Sequence, residues 1–125
     1  MSTERTDTPV PQGDYIPAVC HGGVIYTAGM TPRRNGTLVW TGVVGDSLTA
    51  AEAHSAAGLA MRNALTAARS AMSGPGVLRC LRLTVFIACT PQFTALSAVA
   101  DGASAVLAAE LGVASRGAEP GHRRC

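Results

Sequence analysis

The chain has 125 residues, of which 47% are hydrophobic, 14% are charged and 4% are aromatic. This length suits one domain with a single core, and the small aromatic fraction requires that core to be packed from small side chains. Ten basic residues, all of them arginine, oppose eight acidic residues and give a formal net charge of +2. So small an excess is not typical of an electrostatic nucleic-acid surface, and we expect no nucleic-acid partner.

The cysteine pattern and the N-terminal segment exclude further classes. The four cysteines form no C-x-x-C pair, and no histidine stands at metal-ligand spacing from them, so we expect no metal site. Residues 1–12 are polar and contain two prolines, which is typical of a flexible leader and not of a signal peptide or a membrane span. We therefore expect a cytoplasmic protein with reduced thiols and no membrane partner.

The domain begins near Gly13 with the pattern of short antiparallel strands. The β-rich stretch over 18–30 is broken by His21-Gly22-Gly23, which predicts a tight turn between two strands. Asn35-Gly36 predicts a hairpin turn because both residues tolerate positive φ, and a third strand is predicted over 38–41. The beginning of the domain is thus predicted to be an antiparallel meander, with the arginines beside the hairpin turn, Arg33 and Arg34, in solvent.

Two helices and one strand follow in the pattern. Thr49 and Glu52 have the spacing of a capping box before an alanine-rich helix that residues 74–76 (Gly-Pro-Gly) end. A central strand is predicted over 77–88 and a second helix over 91–112, opened by its proline. The predicted buried face of the first helix consists of Ala53, Ala57, Ala60, Ala64, Ala68 and Met72. The order βββαβα predicts an α+β domain, in which two helices cover one face of a single sheet.

The segment after residue 112 differs from the rest of the chain. Residues 113–125 are polar and lack apolar alternation, which predicts no strand. A four-stranded sheet would leave part of the helical apolar face uncovered, and a closing strand or a partner subunit is the usual remedy. The predicted organisation is a leader over 1–12, a domain over 13–112 and a divergent polar tail over 113–125, with the final strands missing.

Over about residues 13–112 the motifs together resemble the RidA family, also called YjgF or L-PSP endoribonuclease. Residues 13–18 (Gly-Asp-Tyr-Ile-Pro-Ala) are similar to the family's G-x-Y-S-x-A opening, and residues 24–32 to its V-x-[FY]-[TV]-S-G-Q-x-P strand end. Three further features stand at family-like spacing: Asn63, the strand at 85–88 and Phe93. The resemblance implies a chorismate-mutase-like fold, an antiparallel-rich mixed sheet and a homotrimer with one cleft at each subunit interface.

The resemblance also implies an activity, the hydrolytic deamination of small 2-imino or enamine acids to keto acids without a cofactor. This chemistry needs a cation and backbone donors for the carboxylate, and a positioned water that attacks the C=N carbon as the nitrogen is protonated. In the family the cation is an arginine in an A-R-S motif before the last strand pair. That slot aligns nearest Ala118 or Glu119, and Arg116 is the nearby substitute.

By resemblance, the catalytic candidates are Tyr15 and Arg116. The substrate-binding candidates are Thr27, Ala28, Gly29, Met30, Phe86, Ile87 and Ser97. Gly29 is expected to offer a backbone N–H to the carboxylate, while Ala28 and Met30 replace the family's serine and glutamine. Purely structural roles stay open for these residues: a strand-edge tyrosine, a turn glycine, core packing and a solvated serine.

Two other functions stay open at this point. The replaced serine and glutamine and the displaced arginine favour a catalytically silent subunit for ligand binding or assembly. An endoribonuclease, the family's historical name, is disfavoured by the nearly balanced charge. The tail further suggests a truncated or frameshifted family member, because GC-rich codons for residues 117–125, read one base later, can spell Ala-Arg-Ser and then an Ile-Gly-Val run.

Overall fold

A computed structural model describes residues 10–11, 13–112 and 122–124 of the chain, so most of the predicted leader and tail lies outside it. The described elements are, in chain order, β1 (Ala18–His21), β2 (Val24–Thr27), β3 (Arg33–Arg34), β4 (Thr37–Leu38), α1 (Ala50–Ser70), β5 (Thr84–Phe86), α2 (Leu96–Leu111) and β6 (His122–Arg124). Two helices combined with small strand pairs make this an α+β fold, as the sequence predicts.

The first half of the fold consists of two antiparallel hairpins. β1 pairs with β2, and β3 pairs with β4. The second hairpin turns at Asn35 and Gly36, whose φ angles are 54° and 82°. Positive φ at both central residues is what the tightest hairpin turn requires, so the Asn-Gly prediction is confirmed. The third strand predicted over 38–41 is shorter than expected, because only Leu38 belongs to a strand.

The expected single sheet is wrong. Hydrogen bonds join the described strands only in pairs: β1 with β2, β3 with β4, and β5 with β6. The central strand predicted over 77–88 is reduced to β5, since Val77 and Leu81 are 93% and 59% exposed in a stretch without regular structure. A strand exists only where a second backbone takes up its donors and acceptors, and apolar alternation does not reveal whether that backbone is there.

The prediction that no strand follows residue 112 is also wrong. β6 pairs in parallel with β5, with Thr84 opposite His122 and Phe86 opposite Arg124. Ladder hydrogen bonds use the main chain, whereas the alternation rule reports which side chains are buried. A polar segment can therefore form a strand with a second segment although its side-chain pattern does not predict a strand.

Helix α1 begins where the capping box predicts. The Glu52 backbone N–H donates to Thr49 Oγ1 at 3.1 Å, and the Thr49 N–H donates to Glu52 Oε1 at 2.9 Å, so two end donors are satisfied reciprocally. The buried residues of α1 are Ala53, Gly58, Met61, Leu65, Ala67 and Ala68. Of the predicted face only Ala53 and Ala68 are buried. The face that points into the core is the one that contains the longer Met61 and Leu65 side chains, because they bury more apolar surface than alanine does.

Helix α2 begins later than predicted. Pro91 does not open it; the Phe93 N–H instead donates to the Thr90 carbonyl at 3.1 Å, and the helix starts at Leu96. This hydrogen bond closes a turn with proline at its second position, a place that proline favours as much as the first turn of a helix. The predicted end is confirmed, since α2 stops at Leu111 before Gly112, which has a φ of 93°.

The two helices cross at a pair of glycines. A β-carbon on Gly102 would collide with the backbone carbonyl of His54, and one on Gly58 would lie 3.4 Å from the Gly102 oxygen. His54 Nδ1 lies 2.9 Å from the Ala98 carbonyl and, as the donor, joins the same crossing. The two core clusters beside the crossing are Met61, Leu65, Ala103, Val106 and Leu107, and Val44, Ala53, Ile87 and Val99. Glycine thus permits a helix contact through backbone atoms.

Gly102→Ala is expected to lower the free energy of unfolding by about 2 kcal/mol. Overpacking a core costs about 1–3 kcal/mol, and here the obstacle is a backbone atom that cannot rotate away. Gly58→Ala is the matched control, since the same gain of about 1 kcal/mol in helix propensity meets only a contact near the van der Waals limit. Urea unfolding measures both variants, and equal stabilities would contradict the crossing described.

The expectation that all thiols are reduced is wrong for Cys89, which is disulfide-bonded. Neither Cys20 nor Cys80 takes part in that bond. Cys89 follows β5 closely and also lies beside Val44, with which it forms a single bridge of the backbone. Cysteine spacing along a sequence does not reveal which sulfur atoms meet in space.

Candidate functional site

A cavity of about 340 Å³ lies where the β3–β4 hairpin, the segment after β2 and helix α1 meet. Residues 29–31 and 33–36 form one wall, and α1 residues from Leu59 to Arg69 form the other. Sites for small molecules typically measure about 300–1,000 Å³. The cavity therefore suits a small metabolite.

Asn63 fixes the hairpin wall to α1. Its side-chain amide nitrogen donates to the carbonyl of Thr31 at 3.0 Å and to the carbonyl of Arg33 at 2.9 Å. An amide NH₂ has two hydrogens, so both of its donors are used on a segment some thirty residues away. Asn63 stands at family-like spacing in the sequence, and in the structure it joins the hairpin wall of the cavity to α1.

Four guanidinium groups line the cavity, those of Arg33, Arg34, Arg62 and Arg69. Arg33 is half-buried: its Nε donates to Thr31 Oγ1 at 3.2 Å and its Nη1 to the Gly36 carbonyl at 2.8 Å. Both acceptors are neutral, so the Arg33 charge is not compensated by them. Arg34 is exposed, and its side chain makes no hydrogen bond or ion pair within the described part of the chain.

Among the described residues, one carboxylate, that of Glu110, faces these cations. Arg69 Nη1 lies 2.9 Å from Glu110 Oε1, and Arg62 Nη1 lies 3.6 Å from Glu110 Oε2. The three side chains are between 33% and 59% exposed, and ion pairs of that exposure stabilise a fold only modestly. Their larger effect is electrostatic, since four arginines and one glutamate leave the lining with a formal charge of +3.

Three of the residues predicted by resemblance line this cavity: Tyr15, Gly29 and Met30. Gly29 is exposed, and a β-carbon there would meet nothing within 4 Å. Its backbone N–H has no partner among the described residues, whereas the Ala28 N–H donates to the Pro17 carbonyl at 2.8 Å. The Gly29 N–H can thus donate to a ligand in the cavity, whereas the Ala28 N–H already donates to the Pro17 carbonyl.

The other predicted site residues lie elsewhere. Thr27 ends β2, and Ala28 follows it. Phe86 is 72% exposed at the end of β5, Ile87 is buried in the core beside Val99, and Ser97 is exposed in the first turn of α2. Arg116 lies outside the described residues. A single chain therefore does not gather the predicted set into one site.

Most of the charged lining was not predicted. Arg33 and Arg34 were expected in solvent, and that expectation is wrong for the half-buried Arg33. Arg62 and Arg69 are seven residues apart, which places them on one helical face and is the one local signal that could have paired them. Glu110 comes from the other helix, so only the packing of α2 on α1 reveals it.

Within the described ranges, no group of three or more histidines, cysteines, aspartates or glutamates lies close enough together to hold a metal ion. No helix in those ranges has both the length and the apolarity that crossing a bilayer requires.

Asn63→Ala is expected to loosen the β3–β4 hairpin, because two carbonyls lose their donors at a cost of about 1 kcal/mol each. Hydrogen exchange should become faster at the Arg34 and Thr37 amides and stay unchanged in β1 and β2. Ser55→Ala, an exposed change on the same helix, is the control. An unchanged hairpin, or faster exchange everywhere, would contradict the bracing role of Asn63.

The chain is similar to one curated protein and to two solved structures. No family model matches the chain. It is 32% identical over 103 residues to protein TCP17 of Trypanosoma cruzi, an alignment that covers 82% of this chain and 64% of TCP17. The chain thus spans slightly less than two thirds of that curated relative.

Two solved structures share the fold. The Agrobacterium tumefaciens protein Atu1372, of unknown function, is 30% identical, with a TM-score of 0.72 over 90% of this chain and 70% of its own. A protein of Shewanella oneidensis MR-1, described as a "putative endoribonuclease", is 24% identical, with a TM-score of 0.84 over 94% of this chain and 78% of its own. The second likeness concerns the fold alone.

Proposed function

We propose an activity for this chain from its own cavity and motifs. The chain belongs to the same family as Atu1372 of Agrobacterium tumefaciens, but the function of Atu1372 is unknown and gives no guide. We propose a RidA-type protein that hydrolyses small 2-imino or enamine acids to keto acids and ammonia, without a cofactor. The supporting observation is that the Gly29 backbone N–H, which has no partner among the described residues, lies in one cavity together with arginines that can bind a carboxylate.

In this proposal the carboxylate of the substrate binds between Arg34 and Gly29. A guanidinium matches a carboxylate with two parallel hydrogen bonds and stays charged at any working pH. Arg34 has all its donors available within the described structure, and the Gly29 N–H adds a fixed dipole. Arg34 thereby performs the task that the resemblance assigned to an arginine of the tail.

The chemistry is addition of water across C=N. The water oxygen bonds to the imine carbon while a proton reaches the nitrogen, and the resulting carbinolamine collapses to C=O as the C–N bond breaks and ammonia leaves. Tyr15 lines the same cavity, and its hydroxyl is the group we propose to orient the water or pass its proton. Anchoring the carboxylate at two points limits the orientations of the C=N bond relative to that water.

A homotrimer completes the proposal. The strands present large apolar side chains to solvent: Val19 of β1 is 46% exposed, Tyr26 of β2 is 56% exposed and Phe86 of β5 is 72% exposed. Apolar surface of this kind is commonly covered by another subunit. Contact between copies would also bring Thr27, Ala28, Phe86 and Ser97 toward a shared cleft, which a single chain does not do.

The deaminase is tested with 2-iminobutyrate generated by an amino-acid oxidase, with semicarbazide trapping the residual imine. The wild-type chain should accelerate release of the keto acid over a buffer blank. Tyr15→Phe should lower kcat by about 10²-fold with little change in KM, because proton transfer contributes at least that much. Arg79→Gln, an exposed arginine outside the cavity, should match the wild type, and a wild-type chain no faster than the blank rejects the activity.

The trimer is tested by size-exclusion chromatography with light scattering. The expected mass is three times the 12.7 kDa of the chain. Phe86→Asp should lower that mass, because a charge cannot be buried unpaired in an apolar contact. Val77→Asp, at a 93% exposed position outside the strands, should leave it unchanged. A wild-type chain that elutes as a monomer contradicts the proposed assembly.

A catalytically silent binding subunit is the second candidate. Ala28 and Met30 carry neither hydroxyl nor amide, and the Ala28 N–H is already bonded to Pro17, so the segment after β2 has few groups that could order a water. This candidate predicts ligand binding in the cavity without release of keto acid. The deaminase assay therefore separates the two.

A further inference from the structure

The cavity contains more positive charge than one carboxylate compensates. With Glu110 counted, its lining has a formal charge of +3, and a monocarboxylate would neutralise one unit of it. Charges that line a concave wall reinforce one another and raise the local concentration of anions. The lining is thus electrostatically unsatisfied even with the proposed imino acid in place.

The hydrogen-bonding capacity of the arginines points the same way. Arg62 and Arg69 each approach Glu110 with a single nitrogen, Nη1, and Arg33 uses Nε and Nη1 on neutral acceptors. A guanidinium has five N–H donors and no acceptor, so each donor needs an acceptor on another group. Each of these groups therefore retains donors that an anionic ligand can take up.

We propose that the cavity selects small dianions, with one anionic group at Arg34 and Gly29 and the second beside Arg62 and Arg69. The shared chemistry is two anionic groups joined by a short aliphatic spacer, either two carboxylates or a carboxylate and a phosphate. The inference rests on the proposed function for the imine group alone, because the preference for dianions comes from the arginines. In substrate terms it assigns imino acids with a second anionic group in the side chain.

The size and build of the cavity favour a small ligand over a polymer. Its volume of about 340 Å³ holds a metabolite, and Asn63 anchors the hairpin wall to α1 through two hydrogen bonds. A nucleic acid would instead need basic residues spread along a surface, with aromatic side chains between them. Here the basic residues converge on one concavity.

Isothermal titration calorimetry at constant low ionic strength tests the proposal by measuring the Kd of succinate, propionate and inorganic phosphate. Succinate should bind at least about tenfold more tightly than propionate, because a second charge-assisted contact forms. Arg34→Gln and Arg62→Gln should each weaken succinate about tenfold, and Arg79→Gln should bind as the wild type does. Circular dichroism checks that each variant is folded. Phosphate has a single anionic group and should bind more weakly than succinate; equally tight binding of phosphate would contradict a site for two separate anionic groups.

Equal affinities for succinate and propionate would overturn the proposal, and so would Arg34 and Arg62 variants that bind as the wild type does. Binding of a single-stranded RNA oligomer without binding of the small dianions would also overturn it. The result is separable from the deaminase assay. Tight dianion binding without imine hydrolysis rejects the proposed function and keeps this inference, while hydrolysis of 2-iminobutyrate without a dianion preference does the reverse.

Discussion

The backbone contact between the two helices is the constraint on which the rest of the structure depends. Gly102 lies so close to the carbonyl of His54 that no β-carbon fits between them. The buried members of both core clusters are aliphatic, as the scarcity of aromatic residues requires. The same crossing sets how the far end of α2 meets α1, and so brings Glu110 to Arg62 and Arg69.

The cavity is a consequence of that crossing and of one side chain that reaches across the fold. Asn63 ties the hairpin to α1, and the hairpin supplies two arginines to a wall that already has two. Guanidinium groups keep their charge in almost any environment, so convergence of four of them is costly unless something compensates it. Glu110 compensates part of the charge, and in our proposal an anionic ligand compensates more of it.

Local patterns predicted the local features of this chain. The capping box at Thr49 and Glu52, the Asn35-Gly36 turn and the end of α2 before Gly112 are each decided within a few residues, and each is confirmed. The prediction that Pro91 opens the second helix was wrong because proline suits a turn as well as a helix start. β6 was not predicted because main-chain pairing leaves no mark on side-chain polarity. The motifs around Gly29 indicated a segment that lines the cavity, but not the arginines that line it as well.

What the sequence alone determined is therefore the type and approximate order of the elements before residue 112, since short-range sterics and hydrogen bonds within a few residues decide them. Only the tertiary structure decided that the strands pair two by two, that Cys89 is in a disulfide and that arginines from a hairpin and a helix share one cavity. These features depend on which distant backbones and charges meet. No local pattern encodes which of them meet.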